Sequence, residues 1–328
     1  MTFLFAPMEG LTGCIYRRVH RRFFSGVDRY YAPFITPAHD HSEPPRDWRE
    51  LRPEENPGVP LVPQLLTNQA EDFLWAAAVL RDRGYTEVNL NLGCPSGTVV
   101  AKRKGAGFLS LPEELDAFLE RIYSHPLSGE MRFSVKSRMG MKDPAEFHRL
   151  AEIFSRYPIP LFILHPRLRA DQYRGPVHPE AFAEALESFP FPLAWNGDIF
   201  SPGDLERLKA RFPRVDTVML GRGMAADPAL ADRCRGLPGC TGERLAAFHD
   251  ALCEEYRSVL YGDTALCHRM KEFWSYLIRH YACGEAHFKR ICKAKTYGEY
   301  RLAAHAALEE LELLPEARWD REPTERMI

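Results

Sequence analysis

The 328-residue chain is 45% hydrophobic and 27% charged, a balance that excludes disordered, collagenous and disulfide-scaffold proteins. Its net charge is −2, from 43 Lys and Arg against 45 Asp and Glu. Nucleic-acid binders are usually more basic, so a nucleic-acid surface here has to be local. No apolar run approaches the ~20 residues of a membrane span. The opening Met1-Thr2-Phe3-Leu4-Phe5-Ala6-Pro7 lacks the basic start and long apolar stretch of a signal peptide, so the expected location is cytoplasmic. The eight cysteines are scattered and no Cys-x-x-Cys pair occurs. That speaks against a metal site or a disulfide framework and for free thiols.

Eight short apolar runs of strand length follow in order: 3–7, 30–35, 61–66, 87–92, 133–137, 161–164, 193–195 and 217–220. Amphipathic stretches separate them, among them 70–83, 112–123, 145–156, 179–188 and 202–211. Strands alternating with helices read as parallel β/α units. Eight units in about 230 residues predict a (β/α)8 TIM barrel. A doubly wound sheet is the competitor, but no GxGxxG follows the first strand. Glycine and proline cluster at 234–242, and Thr241 is placed to cap a helix. Beyond it only helical periodicity remains, over 243–261, 264–282, 285–294 and 297–314. The predicted organisation is a barrel domain at 1–236, a small all-helical domain at 241–314 and a polar tail at 315–328. Residues 264–298 carry a net +5, with Arg269, Lys271, Arg279, Lys289, Arg290, Lys293 and Lys295 against Glu272 and Glu285. This is either a solvated helix face or a surface for a phosphate backbone.

A TIM barrel places its chemistry at the C-terminal ends of the strands. Polar residues concentrate there: Pro7, Met8 and Glu9 after the first strand, Gln64 in the third, and Asn89, Asn91 and Cys94 at the fourth. Lys136 and Arg138 end the fifth strand and His165 and Arg167 the sixth. Asn196-Gly197-Asp198 follows the seventh and Gly221-Arg222-Gly223 the eighth. Packing alone gives no reason for such groups where buried strands finish, because an unpaired buried charge costs several kcal/mol. The last two motifs sit where barrels often bind phosphate, or are two tight turns. Lys136 is placed to point inward at a flavin, to form a Schiff base, or to snorkel. Cys94 is either a structural thiol or an acid or nucleophile at the rim. Lys102, Arg103 and Lys104 in the same loop suit a polyanionic substrate or plain solvation.

Together these motifs resemble the tRNA-dihydrouridine synthase family. They are Ala6-Pro7-Met8-Glu9-Gly10, Asn91-x-Gly93-Cys94-Pro95, Lys104-Gly105-Ala106-Gly107, Val135-Lys136-x-Arg138, Asn196-Gly197-Asp198 and Gly221-Arg222-Gly223, in the family's order over residues 1–236. Arg269-x-Lys271 and Trp274-Ser275-Tyr276-Leu277 resemble its helical RNA-binding region. The resemblance implies FMN at the barrel mouth, NADPH as electron donor, a tRNA uridine as substrate and Cys94 as proton donor. It implies that Pro7, Met8, Glu9, Gln64, Lys136, His165, Asn196, Gly197, Asp198, Gly221 and Arg222 hold the cofactor. Asn91, Lys102, Arg103, Lys104, Arg138, Arg167, Arg269, Lys271, Lys289 and Lys293 would face the RNA. Neither a membrane nor a protein partner is expected, and a monomer is. Pro166 departs from the family's His-Gly-Arg, and proline removes a backbone N–H at that position. Two other classes compete: a small-molecule flavin reductase on the same barrel, and a non-catalytic RNA-binding protein. The basic helices argue against the first, and Cys94 together with Lys136 against the second.

Overall fold

The computed structural model describes residues 1–42 and 48–317. The expected tail therefore lies, from residue 318 on, outside the described residues. Parallel strands run in the order β3-β2-β1-β9-β8-β7-β6-β5-β4. They are β1 (Thr2–Phe5), β2 (Arg29–Tyr31), β3 (Leu61–Val62), β4 (Gln64–Leu65), β5 (Glu87–Leu92), β6 (Arg132–Gly140), β7 (Phe162–Leu168), β8 (Leu193–Asn196) and β9 (Thr217–Leu220). The two end segments are one strand interrupted at Pro63. Proline has no N–H for the ladder, while its carbonyl still accepts from the Asn89 N–H at 2.9 Å. Joining β3 to β4 turns nine segments into eight strands and closes the barrel, as the spacing of the apolar runs predicts.

Alternation within each strand decides which side chains fill the barrel. Leu4, Ala6, Tyr31, Val62, Leu161, Ile163, Ala194 and Met219 form one small internal cluster. Their neighbours Phe3, Phe5, Tyr30, Phe162, Leu164, Leu193, Trp195, Val218 and Leu220 join the larger core beneath the helices. The polar residues of β4, β5 and β6 share the inward phase. Gln64 pairs in register with Asn89, Asn89 with Ser134, and Asn91 with Lys136. One side of the lumen is therefore apolar and the other polar.

Two strands are longer than the sequence pattern indicates. β6 continues to Gly140 and β7 to Leu168, so Arg138, His165 and Arg167 are strand residues rather than residues just past a strand. Pro166 sits where the β6–β7 register shifts between Arg138 and Gly140. A bulge tolerates a residue without an N–H, and the Pro166 carbonyl accepts from His178 at 2.7 Å. β2 ends at Tyr31, short of the expected Ile35, which makes only an isolated bridge to Leu65.

The outer helices are α1 (Cys14–Phe23), α2 (Ala70–Asp82), α3 (Gly97–Val100), α4 (Pro112–Tyr123), α5 (Leu127–Glu130), α6 (Glu146–Phe154), α7 (Pro179–Ser188), α8 (Pro202–Arg211), α9 (Arg222–Ala226) and α10 (Leu230–Cys234). Four more follow: α11 (Gly242–Val259), α12 (Asp263–Leu277), α13 (Glu285–Lys293) and α14 (Tyr297–Glu310). Thr241 caps α11, its side chain accepting from the Arg244 N–H at 3.1 Å. Thr296 and Glu299 form a reciprocal capping box on α14. The helical region shares the barrel's core. Phe248 of α11 packs edge-on against Tyr16, His20 and Phe24, with ring centroids 5.2–6.1 Å apart. Glu255 of α11 pairs with both Arg18 and Arg22 of α1. All eight cysteines are free thiols. No helix among the described residues is long and apolar enough to cross a membrane.

Candidate active site

The polar phase of β4–β6 builds a hydrogen-bonded ladder that ends at Cys94. The Gln64 side-chain amide donates to Asn89 Oδ1 at 2.8 Å, and Asn89 donates to Ser134 Oγ at 3.0 Å. Asn91 donates to Gln64 Oε1 at 2.7 Å. Asn91 Oδ1 in turn accepts from the backbone N–H groups of Gly93 and Cys94, at 3.0 and 2.9 Å. Buried amides thus satisfy one another and fix the Gly-Cys-Pro turn. The Lys104–Gly107 segment closes over the same turn. Gly105, at φ +56°, comes so close that a Cβ there would meet Cys94 Cβ and its carbonyl oxygen at 3.0 Å. Only glycine suits that conformation and that approach. Cys94 remains partly accessible, and burial pushes its thiol pKa up, so it carries its proton at neutral pH.

Beside it stands a group of basic side chains. Lys136 makes no hydrogen bond or ion pair with any described residue. Burial, with Arg138 nearby, pushes its pKa down to about 7. His165 is driven far below its ordinary value by burial and by Arg138, Lys136, Arg167 and Arg222 around it. Its neutral ring accepts from Arg167 Nη1 at 3.1 Å through Nε2, which puts the ring proton on Nδ1. Asp198 is the local counter-charge. It takes both terminal nitrogens of Arg167 and, at 2.7 Å, Arg222 Nη2. Asn196 donates to the Met219 carbonyl at 2.8 Å and so ties β8 to β9. The Gly197 carbonyl accepts from the Trp195 indole at 2.7 Å. Gly221 lies where a Cβ would come 3.3 Å from Ala6 Cβ, bringing the ends of β9 and β1 together. Pro7 and Met8 line the turn after β1, and the Met8 N–H is taken by Thr12 Oγ1 at 2.8 Å. Glu9 is exposed at the rim and acts electrostatically on Cys94.

The structure gives two arginines a task that the sequence does not disclose. Arg138 donates to the carbonyls of Gly93, Leu168 and Gln172, at 3.1, 2.7 and 2.7 Å. Arg167 Nε donates to the Gly175 carbonyl at 2.7 Å. Between them they fold the loop after β7 over the mouth. That loop presents Tyr173, which is 52% exposed. Its ring lies 5.2 Å from the Arg138 guanidinium, 5.3 Å from that of Arg222 and 6.3 Å from the His165 ring. Tyr173 is absent from the sequence candidates. The signal available was an aromatic inside the polar run Arg169–Arg174 following a strand.

The remaining candidates lie on the loop beyond Cys94 and on the helical region. Lys102 and Arg103 are exposed on the loop beyond Cys94, and Lys104 is partly covered. Arg269 stacks over Tyr256 at 5.7 Å. Lys271 donates to the Ala294 carbonyl at 2.6 Å and fastens α12 to the end of α13. Lys289 and Lys293 are exposed on α13.

The sequence model of the family described as dihydrouridine synthase matches residues 4–305. A tRNA-dihydrouridine(16) synthase of Cupriavidus necator is 30% identical over 84% of this chain and 87% of its own length. One of Pseudomonas putida is 28% identical, with 84% and 81% covered. Among solved structures, a 2-naphthoyl-CoA reductase complex aligns at TM-score 0.54 and 12% identity, over 72% of this chain and 50% of that one. Morphinone reductase aligns at 0.50 and 15%, over 74% and 87%. At such identities the two structures speak for the barrel architecture alone.

Proposed function

This chain belongs to the dihydrouridine synthase family, and from that we propose that it reduces the C5=C6 bond of a uridine in tRNA to 5,6-dihydrouridine, with Cys94 delivering the proton to C5. The observation that carries the reading is the pairing of an unpartnered Lys136 with a protonated Cys94 at one barrel mouth. An amine held in a lumen without a counter-charge is costly, and an electron-rich group placed beside it relieves the cost. The residues fit a flavin on that ground: Lys136 is a buried amine with no partner among the described residues. FMN bound there, reduced by NADPH, supplies the hydride.

The protein's own residues do the rest. Lys136 would hold the electron-rich part of the cofactor and stabilise negative charge on it. Gln64 and Asn91 hold each other and fix the turn that aims the Cys94 thiol. Burial keeps that thiol protonated, so it is an acid at neutral pH. Arg138 and Arg167 keep Tyr173 over the mouth, where an aromatic ring can stack on a base taken out of the RNA. Lys102, Arg103, Lys289 and Lys293 contact phosphates, which fixes the position of the RNA without reading its sequence. We divide the chain accordingly into a catalytic barrel at 1–236 and an RNA-binding helical region at 241–314. The named relatives are dihydrouridine(16) synthases, so uridine 16 is the first position to assay.

The test is direct. Purified protein should be yellow and release FMN. It should oxidise NADPH in proportion to dihydrouridine formed in added tRNA, with the modified position mapped by mass spectrometry. A colourless protein that takes up no FMN, or flavin turnover indifferent to tRNA, overturns the reading. The second outcome would favour a small-molecule reductase.

A further inference from the structure

One charged group at the mouth is left over by the chemistry above. Glu272 lies on α12, half-buried, with its carboxylate over Gly10 in the turn after β1. A Cβ at position 10 would lie 2.5 and 2.8 Å from its two oxygens. Gly10 also has φ +81°, so glycine supplies both the turn and the space for the carboxylate. Among the described residues the Glu272 carboxylate has no hydrogen bond and no ion pair; the Arg269 guanidinium, one turn earlier, acts on it electrostatically, and burial pushes its pKa up. Four residues on, Tyr276 lies within electrostatic reach of Glu272, Tyr173 and Arg222. The face of α12 bearing Arg269, Glu272 and Tyr276 thus borders the mouth.

A lone carboxylate is an odd neighbour for RNA. It repels the phosphates that the surrounding cations attract, and it offers nothing to a carbonyl. What it can do is accept. An RNA strand carries two kinds of neutral donor: N–H groups on base edges and the ribose 2′-hydroxyl. A half-buried acceptor that is met only by the right donor, and is otherwise left facing a phosphate or a carbonyl, discriminates strongly between substrates.

We propose that Glu272 is a specificity-determining residue, whose carboxylate accepts a hydrogen bond from a nucleotide next to the target uridine, through either a base-edge N–H or the ribose 2′-hydroxyl. This rests on the tRNA reading above. Gly10 is then part of the same device, because a side chain there would push the carboxylate away.

The experiment is a double-mutant cycle between protein and RNA. kcat/KM is measured for wild type, Glu272→Ala and Glu272→Gln on a tRNA transcript that the wild type modifies. It is measured again on transcripts lacking one donor at a time: 2′-deoxy sugars, or bases without one edge N–H, on either side of the target. Removing the partnered donor should cost the wild type about 10-fold and cost Glu272→Ala nothing further. Glu272→Gln keeps one acceptor oxygen and nearly the same shape, and should fall between. Coupling to the 2′-deoxy transcript assigns the ribose; coupling to a base-edge transcript assigns the base. NADPH oxidation without tRNA should match wild type in every variant. Equal losses in wild type and variant, or an unchanged Glu272→Ala, overturn the inference while the functional reading stands. A wild type that reduces no uridine in any tRNA overturns both. If Glu272→Ala does not fold, the cycle is run on Glu272→Gln.

Discussion

Cys94 and Lys136 illustrate how a barrel lumen changes ordinary side chains. Burial pushes the Cys94 thiol up and the Lys136 ammonium down to about 7, because both lose their charged form to desolvation. For Cys94 the expected consequence is a plateau in tRNA-dependent turnover that extends above the usual thiol pKa before falling. Cys94→Ala should fold, retain FMN, accept electrons from NADPH and bind tRNA. Its single-turnover flavin reoxidation by tRNA should slow by roughly 10²–10⁴. A purely structural cysteine predicts the reverse, a lower melting temperature with reoxidation near normal. For Lys136 the sign follows from linkage. Its folded pKa lies below the unfolded 10.5, so the unfolded chain binds more protons between about pH 7 and that value. The cost to folding is full below pH 7 and fades as pH rises. Flavin-free Lys136→Met should therefore melt above wild type at pH 6, with the gap closing toward pH 10. Added FMN should shrink the gap at pH 6. A pH-independent difference between the two melting curves would falsify that account.

At the scale of elements, α13 separates a solvated face from a working one. Lys289 and Lys293 stand one turn apart, exposed, and no described residue pairs with either. Lys271, counted in the same patch from the sequence, is instead spent on the Ala294 carbonyl. Lys289→Glu with Lys293→Glu should weaken tRNA binding about tenfold and reduce the salt slope by about 1 to 2. Flavin content should not change. An unaltered slope in a filter-binding titration across salt concentrations would reduce α13 to a solubility surface. The helices themselves were readable because their starts carry local chemistry. Pro112, Pro179 and Pro202 each open a helix where the pattern begins, and proline suits that first position. Strand ends were less readable. β6 and β7 run past their apolar residues because Arg138 and Arg167 find backbone carbonyls across a loop, a partner no local pattern reveals.

The whole molecule behaves as one core with two kinds of surface. The helical region does not hang from a linker: Phe248, fully buried, sits among the rings of Tyr16, His20 and Phe24. Phe248→Ala should cost about 3–5 kcal/mol. Because the cavity opens between α1 and α11, the barrel and the helices should unfold together. Calorimetry should show a single transition at lower temperature; two separated transitions would mean that the regions are energetically independent.

The sequence by itself determined the eight β/α units, the helical region that follows them and the gathering of polar residues at the strand ends. Each is a periodic or local property: apolar runs alternating with amphipathic stretches, or a cap at Thr241. Only the tertiary structure decided what those polar residues do. It closed the barrel through a strand split at Pro63, so that Asn91 meets Gln64 and both serve Cys94. It turned Arg138 and Arg167 onto backbone carbonyls, so that Tyr173, which has no sequence period to mark it, reached the mouth. It set Glu272 over Gly10, 262 positions away in the chain. Charge and hydrogen bonding depend on which groups meet in space, and a linear pattern carries that information only for neighbours.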